Sequence, residues 1–200
     1  LSNAADKPSY AQVKSGNDAA GAKNTSGKLI TIEGENPTRT SSQMLYPIQD
    51  QSSPSVSPSS PKMLLNNTIG GNSWRLVGQW IEWDFDVEES GYYNISLYDS
   101  QNFVRGIYVS RKITIDGEIP FSEMKEISFE YENDWNCMTL TDEEGTPYQF
   151  YLKEGTHTLR LEATLGGVGS ILEELEDSIY RLNQIDRKLL IYTGVQPDKY

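Results

Sequence analysis

The chain has 200 residues and a formal net charge of −12, from 17 basic and 29 acidic side chains. A chain of this length holds one domain with appendages. The acidic balance argues against binding to nucleic acid or to an anionic membrane surface, because both require clustered Lys and Arg. A hydrophobic content of 36%, with 12 Tyr, 5 Phe and 4 Trp, is enough to fill a core. We therefore expect a folded domain.

The single cysteine and single histidine, Cys137 and His157, limit the chemistry that the chain can perform. No intrachain disulfide can form, and a zinc site built on two cysteines is excluded. The simplest interpretation of Cys137 is a small buried apolar side chain. The sequence has no GxSxG motif and no phosphate loop, and nothing singles out an acidic pair for glycoside hydrolysis. We expect no enzymatic activity and no cofactor.

Both ends of the chain suggest that it was excised from a longer protein. The sequence SNA at Ser2–Ala4 resembles the scar that tag cleavage leaves. A weak helix is predicted around Ser9–Val13, and we assign residues 1–27 as a whole to a tag remnant and a mobile lead-in. No apolar run approaches the ~18 residues of a membrane helix. The C-terminal TGVQPDKY has no capping or tail character.

From residue 28 onwards, short segments alternate between apolar and polar residues and are separated by glycine turns. This pattern predicts a mainly all-β fold, an antiparallel β-sandwich or jelly roll over residues 28–166. A Ser/Pro-rich segment, residues 51–61, is expected to be irregular. The predicted inward-facing residues are Ile30 and Ile32; Ile81, Trp83, Phe85 and Val87; Tyr93, Ile95 and Leu97; Ile107, Val109, Ile113 and Ile115; Ile127, Phe129 and Tyr131; Tyr148, Phe150 and Leu152; Leu159, Leu161, Ala163 and Leu165.

The segment RKITIDGEIPF is the most strongly marked hairpin. Asp116-Gly117 predicts a type I′ turn, which needs positive φ at both central positions. Pro120 has no N–H to donate and should end the ladder, while Phe121 can fold back onto the core. Arg111 is placed to reach a carboxylate or a carbonyl at the sheet edge. Architecture alone can explain all of these features.

At Gly166-Gly167 the periodicity changes to that of a helix, predicted over about 170–190. Ser170 with Glu173 forms a capping box that marks its start. We assign residues 167–200 to a C-terminal helix and the start of a passage into a missing next domain. Its apolar stripe must be covered by the sandwich or by a second copy, because an isolated helix of this length is marginal in water. The stripe comprises Leu172, Leu175, Ile179, Leu182, Ile185 and Leu189.

Three connections combine aromatic and polar residues in a way that suits a sugar site. Sugars stack their apolar faces on aromatic rings, and polar side chains bind the hydroxyls. If the connections meet at one end of the sandwich, they form a polar and aromatic cleft. Alternatively, the tryptophans seal the sandwich end and the asparagines serve turns. The candidate ligand-binding residues are Asn72, Trp74, Arg75, Gln101, Asn102, Arg105, Trp135 and Asn136.

Glu33 and Glu35 are weak candidates for a structural calcium site. Carbohydrate-binding jelly rolls often begin with a Glu-rich strand that binds calcium, but their last strand also supplies an Asp, and here that strand carries Glu162. The three acidic residues of QWIEWDFDV are interpreted as a solvated strand face, because a straight strand spaces its carboxylates too far apart for calcium.

Three segments carry a family resemblance: NTIGGNSWRLVGQWIEWDFDVEESGYYNISLYDSQNFVRGIYVSRKITIDGEIPFSE, PYQFYLKEGTHTLRLE and TGVQPDKY. Over residues 28–200 the chain resembles a galactose-binding-like β-sandwich within large extracellular solute-binding lipoproteins of ABC transporters in Firmicutes-type Gram-positive bacteria. RKITIDGEIPF is the most specific motif and FYLKEGTHTL the second. The resemblance carries no ligand-binding residue over to this chain.

The resemblance implies a noncatalytic carbohydrate-binding-like module, extracellular and anchored to the cell surface in the intact protein. The implied partners are carbohydrate, the remainder of the polypeptide and the ABC permease, with no nucleic acid and no membrane insertion by this fragment. An alternative remains open: a structural or interaction domain that docks on the missing solute-binding lobes and binds no sugar itself.

Overall fold

Alternating apolar and polar residues make β-strands the dominant element of the chain. The computed structural model describes residues 7–50, 52, 56, 65–102, 105, 108–167, 169 and 175–185. The chain divides into two compact units, Leu1–Thr164 and Leu165–Tyr200. The described elements of the first unit are α1 (Tyr10–Ala19), β1 (Arg39–Thr40), β2 (Pro47–Ile48), β3 (Thr68–Ile69), β4 (Trp80–Val87), β5 (Gly91–Tyr93), β6 (Ser96–Gln101), β7 (Val109–Ile115), β8 (Ile127–Phe129), β9 (Glu132–Thr139), β10 (Phe150–Leu152) and β11 (Gly155–Thr164).

Antiparallel pairing organises these strands into two layers. One layer is a five-stranded sheet in the order β1–β4–β11–β7–β8. The other contains the antiparallel pairs β5–β10 and β6–β9. Leu140 links these two pairs, because its N–H donates to the carbonyl of Ile95 and its own carbonyl accepts from Tyr148. The predicted mainly-β sandwich is confirmed, and β2–β3 forms a further antiparallel pair.

A single hydrophobic core joins the two layers. Ile81 and Ile113 of the five-stranded sheet are fully buried, together with Phe121 and Met124, which follow the β7 hairpin. Trp83, Leu161 and Phe150 belong to the same cluster. Half-buried side chains of the second layer pack against it, so the predicted alternation is confirmed for most strands. These half-buried side chains include Tyr93, Ile95, Leu97 and Met138.

The polar face of the five-stranded sheet holds a buried carboxylate. Arg39, Glu82 and Arg160 lie in one cross-strand row of β1, β4 and β11. Glu82 is 6% exposed and accepts hydrogen bonds from Nε of Arg39 and Nε of Arg160, both at 2.6 Å. Burial alone would raise the pKa of Glu82, but the two guanidinium groups outweigh it and hold the pKa below its ordinary value. The prediction of a merely solvated face is wrong at Glu82, although Asp84 and Asp86 are exposed.

The RKITIDGEIPF hairpin has the predicted turn. Asp116 has a φ of 54° and Gly117 a φ of 80°, as a type I′ turn requires. Ile115 and Glu118 exchange two backbone hydrogen bonds across it, at 2.9 and 3.0 Å. Phe121 is 1% exposed, so the chain returns to the core directly after the turn, as predicted.

The turn is fastened to the start of β11 by the single histidine. Nδ1 of His157 lies 2.7 Å from Oδ2 of Asp116, and Nε2 lies 2.7 Å from the carbonyl oxygen of Lys153. Burial lowers the pKa of His157, but the Lys153 carbonyl and the Asp116 carboxylate outweigh that effect and raise it. Both neighbours accept hydrogen bonds, so the protonated ring can donate to both of them.

Two predictions about strands are wrong. No strand forms at Ile30–Ile32, although both isoleucines pack against the core. The chain turns after this segment, at residues 34–35, and the Gly34 carbonyl accepts a hydrogen bond from Trp83 Nε1 at 3.0 Å. The second wrong prediction concerns the segment with Trp135 and Asn136, which was interpreted as a connection. It forms the eight-residue strand β9. Cys137 lies on β9 and is exposed rather than buried.

The lead-in contains a helix that is longer than predicted and anchored to the sandwich. Ser9 begins α1 with a capping box, in which its N–H donates to Oε1 of Gln12 at 3.0 Å. The Tyr10 ring lies 5.0 Å from Phe121 and 4.8 Å from Tyr148 between centroids. These contacts attach α1 to the sandwich, and the mobility predicted for residues 1–27 as a whole stays a prediction.

The second unit is helical at Gly167, Gly169 and residues 175–185. Helical conformation therefore starts before the predicted capping box, whose two residues lie outside the described part, as do Leu172 and Leu189. The described stripe residues are each 49–64% exposed, and the covering predicted for them stays a prediction. Ile107 and most of residues 51–61 also lie outside the described residues. No helix in the described part of the chain is long and apolar enough to span a membrane.

We expect the substitution Glu82→Gln to lower the free energy of unfolding by ~1–3 kcal/mol, because two guanidinium groups lose a charged acceptor in a largely buried position. Asp86→Asn is the matched control, since that exposed carboxylate accepts from Thr156 alone among the described residues. The control should change stability by ~0.5 kcal/mol or less. Urea denaturation measures both, and equal losses would contradict the assigned role of Glu82.

We also expect the stability contributed by His157 to depend on pH. Because its pKa is raised in the folded state, the stabilisation is fully present below the unfolded value of about 6.5 and is lost as the pH rises through the folded pKa. The difference in melting temperature between the wild type and His157→Gln should shrink between pH ~5.5 and ~8.5. A difference that stays constant over this range would refute the assignment.

Candidate functional site

Three predicted connections carry the candidate residues: 72, 74 and 75 in the first, 101, 102 and 105 in the second, and 135 and 136 in the third. The directions of the strands bring all three to one end of the sandwich. β4 and β7 begin at the end where β11 and β8 finish, because neighbouring strands are antiparallel. Phe129 closes β8 and Glu132 opens β9, a separation of at most ~11 Å along the chain, and Glu132 pairs with Gln101 at the end of β6. We call this region the Arg111 end. It comprises residues 50, 70–79, 98, 99, 101, 102, 105, 108–111 and 130–136.

Trp74 and Arg111 form the first group at this end. A 3-10 turn at Gly71–Ser73 precedes Trp74, whose Nε1 donates to the Gln79 carbonyl at 3.1 Å. The Arg111 guanidinium lies 4.4 Å from the centroid of the Trp74 ring. It donates to the Trp74 carbonyl at 3.1 Å and to the Ser110 carbonyl at 2.9 Å. Arg111 therefore reaches carbonyls, one of the two partner types predicted for it, and covers a face of the indole.

Arg111 occupies an unusual position for a charged residue. It shares its side of β7 with the core residues Ile113 and Ile115, because alternate residues of a strand face the same way. Burial lowers the pKa of Arg111 to about 10. Within the described residues, no carboxylate lies within ion-pair distance of it. Its remaining guanidinium N–H groups have no recorded acceptor among those residues.

Trp135 anchors the second group, on β9 rather than in a loop. Its ring stacks on Tyr98, with centroids 5.5 Å apart and planes at 27°. Its Nε1 donates to Oδ2 of Asp50 at 2.9 Å. Asn136 follows on the same strand and donates through Nδ2 to Oε2 of Glu132 at 3.2 Å. Both candidates on β9 thus have partners that hold them in place.

The β2–β3 pair connects the two groups. Asp50 lies two residues after β2. Its backbone carbonyl accepts a hydrogen bond from Nδ2 of Asn67 at 2.8 Å. Burial raises the pKa of Asp50, but hydrogen bonds from Ser52 and Trp135 outweigh it and lower the pKa below its ordinary value. Ile48 of β2 lies against Gly71, where an added Cβ would be 3.2 Å from Ile48 Cδ1. Trp135 therefore contacts Asp50, and the turn before Trp74 contacts Ile48, so both groups lie against the same segment of chain.

The other candidates are arranged around these groups. Gln101 is buried at the end of β6, where it pairs with Glu132. Direct contact between Trp74 and Trp135, by hydrogen bond or between rings, is not found in the described part of the chain. Five candidates are exposed, and of these Asn136 donates to Glu132: Asn72, Arg75, Asn102, Arg105 and Asn136.

Sequence reasoning assigned no ligand role to three residues that shape this end: Arg111, Tyr98 and Asp50. The signal for Arg111 was present, because it places a charge at an inward position of the alternating segment VSRKITI. Asp50 had no comparable signal, since its contact with Trp135 spans 85 positions of sequence.

The acidic groups that the structure describes at this end do not assemble a metal site. Burial, with a smaller effect of Glu132, raises the pKa of Asp99 to about 6. Of the two calcium candidates, Glu33 is exposed and Glu35 is buried. Across the described residues, no group of three or more His, Cys, Asp or Glu side chains is arranged to hold a metal ion.

No protein-family model matches the chain, and no curated protein matches it. It is similar to a solved Paenibacillus sp. cycloisomaltooligosaccharide glucanotransferase complexed with cycloisomaltoheptaose, at 20% identity and a TM-score of 0.47, covering 78% of this chain and 21% of that chain. It is also similar to a family 35 carbohydrate-binding module from Clostridium thermocellum, at 20% identity and a TM-score of 0.38, covering 48% of this chain and 65% of that one. A family 35 module from an environmental isolate aligns at 12% identity and a TM-score of 0.37, covering 66% and 77%. With each TM-score below 0.5, these similarities establish no function for the chain.

The hydrogen bond from the Trp135 indole to Asp50 should have a measurable effect on the pKa of the Asp50 carboxyl. The substitution Trp135→Phe keeps an aromatic ring next to Tyr98 but removes the donor to Asp50, so we expect the pKa of Asp50 to rise and stability to fall by ~1 kcal/mol. An NMR pH titration of the Asp50 carboxyl measures the first effect. Trp80→Phe is the control, since Trp80 lies on β4 and should leave Asp50 unchanged. An unaltered Asp50 titration in Trp135→Phe would contradict the described geometry.

Proposed function

We propose that the chain is a noncatalytic carbohydrate-binding-like module whose ligand site is the Arg111 end. The observation that carries this proposal is the convergence of the Trp74–Arg111 and Tyr98–Trp135 groups at one end of a β-sandwich. Exposed amide and guanidinium side chains surround them. Aromatic surface next to such donors is what recognition of sugar rings and hydroxyls requires.

The same proposal places the module in an extracellular solute-binding protein of an ABC transporter, anchored at the cell surface. The resemblance of RKITIDGEIPF and FYLKEGTHTL to that family supports this setting. The remaining lobes of such a protein and its permease would then be the protein partners of the module. Carbohydrate would be its ligand.

Binding rather than catalysis is the proposed role because the Arg111 end combines aromatic surface with hydrogen-bond donors, and the single histidine of the chain lies away from it. His157 is held by Asp116 and Lys153 at the end opposite the Arg111 end. The arrangement at the Arg111 end offers stacking surface and hydrogen-bond donors to a ligand.

A second candidate function is a docking domain that binds no sugar. The observation that favours it is the exposed apolar pair Leu76 and Val77, 63% and 56% exposed, in the loop before β4. Apolar side chains at a loop tip are suited to contact with another protein surface. In this case the Arg111 end would contact the missing lobes rather than a saccharide.

Thermal-shift measurements with a panel of neutral and acidic oligosaccharides test the proposed function. A ligand that binds the folded state stabilises it by RT ln(1 + [L]/Kd), so even millimolar affinity should raise the melting temperature. For a saccharide that binds, Asn102→Ala and Arg105→Ala should each weaken binding by ~2–10-fold through the loss of one hydrogen bond. These side chains are exposed, so the variants should fold.

Lys153→Ala is the matched control, because its exposed side chain lies at the opposite end. It should bind like the wild type. If no saccharide shifts the melting temperature, the sugar-binding proposal fails and the docking function is favoured. If the control loses binding as much as the site variants do, the site is misplaced.

A further inference from the structure

The C-terminal helix has an apolar stripe that is exposed in the described part of the chain. Four stripe residues are described, each 49–64% exposed: Leu175, Ile179, Leu182 and Ile185. Residues three and four positions apart on a helix are neighbours, so these side chains lie along one side of it. Because an isolated helix of this length is marginal in water, burial of the stripe is the main stabilisation open to it. The helix therefore requires an apolar partner.

The exposed stripe has the spacing of a coiled-coil seam. Its residues are separated alternately by three and four positions, as in heptad repeats. These residues are Leu172, Leu175, Ile179 and Leu182. The opposite side of the helix is mostly polar and includes Asp177 and Arg181, whose side chains form an ion pair at 3.7 Å. A narrow apolar seam with a polar opposite side fits one other helix better than a broad protein surface.

The sequence of this helix has an approximate symmetry about the bond between Tyr180 and Arg181. Many positions at equal distances on either side of that bond carry matching apolar residues or charges of opposite sign. These pairs are Ile179 and Leu182, Leu172 and Leu189, Glu173 and Lys188, and Glu174 and Arg187. The counterparts of Leu175 and Glu176 are Asp186 and Ile185, so at this step an apolar residue and an acid are exchanged. The outer pairs belong to the helix predicted over about 170–190 and lie outside the described residues.

This symmetry is the one that an antiparallel pair of identical helices requires. In a two-fold dimer both copies use the same surface patch, so each residue meets its counterpart across the axis. With the axis near Tyr180, the apolar side chains meet each other, and the acidic half of each helix lies opposite the basic half of the other. A parallel pair would place acids opposite acids and bases opposite bases, which is unfavourable.

We propose that the C-terminal helix pairs antiparallel with the same helix of a second copy of the chain. The pairing covers the apolar stripe of both helices and accounts for the exposure of its described residues in a single chain. A second copy is the occupant because the charge pattern of the helix is complementary to itself. The inference does not depend on the proposed function.

Sedimentation of the full 200-residue chain tests the proposal. The wild type should change from monomer to dimer between about 1 and 200 μM, the range expected of a short helix pair. Leu182→Asp places a charge in the seam twice and should raise the dissociation constant of the dimer about 100-fold or more. Tyr180→Asp is the matched control, since Tyr180 and Leu182 are both 64% exposed but lie on opposite sides of the helix. The control should change the dissociation constant by about threefold or less.

Charge reversal tests the antiparallel orientation. Glu173→Lys combined with Glu174→Lys should weaken the dimer by about threefold to tenfold at low ionic strength, because a basic half then meets a basic half. Arg187→Glu combined with Lys188→Glu should weaken it similarly. All four substitutions together should restore the wild-type dissociation constant, since opposite charges meet again. In a parallel dimer the two halves do not meet, and the combined variant would show no such recovery.

A wild type that stays monomeric over this concentration range overturns the proposal, and the variants then identify the occupant of the stripe. A melting temperature that falls in Leu182→Asp but not in Tyr180→Asp indicates that the helix packs within its own chain. A melting temperature that neither substitution changes indicates a partner outside this chain. A dimer that survives Leu182→Asp, or one without recovery in the fourfold charge reversal, also contradicts the antiparallel pairing.

Discussion

The register of β11 against its neighbours is the constraint on which the rest of the structure depends. In a β-sheet, a slip by one residue moves every side chain to the opposite face. Here the pairing of Arg160 on β11 with Glu82 on β4 resists such a slip, because the buried carboxylate would lose one of its two guanidinium groups. The same register directs Ile113 into the core. It also directs Arg111, two residues earlier, to the same side of β7 and so towards Trp74.

The two ends of the sandwich are built differently. At one end, the Asp116-Gly117 turn is fastened by His157 to the start of β11, and the contacts are local and closed. At the other end, connections of different lengths bring together aromatic rings and polar side chains. The segment RKITIDGEIPF spans both ends, since its turn is architectural and its first residue, Arg111, belongs to the candidate site. A structural turn and a residue of the candidate site thus lie on the same hairpin.

The sequence predicts the structure where burial controls the residue pattern and fails where tertiary contacts decide. β4 and β11 each have one face in the core, so their alternation is clear. β9 has largely exposed residues on both faces and shows no such alternation. The helix α1 depends on Tyr10 packing against distant aromatic rings, which helix propensity does not encode. For the same reason Trp74 and Trp135 were predictable as candidates by residue type, whereas their partners Arg111 and Asp50 are brought to them by long-range pairing.

The central claim is that the Arg111 end is the ligand site, and amide hydrogen exchange tests it most directly. The wild-type chain would be compared with and without a saturating saccharide that raises its melting temperature. Slower exchange is predicted in residues 71–79 and 108–111, with residues 115–118 at the opposite turn unchanged. Protection centred on that turn, or spread equally over both ends, would contradict the assignment.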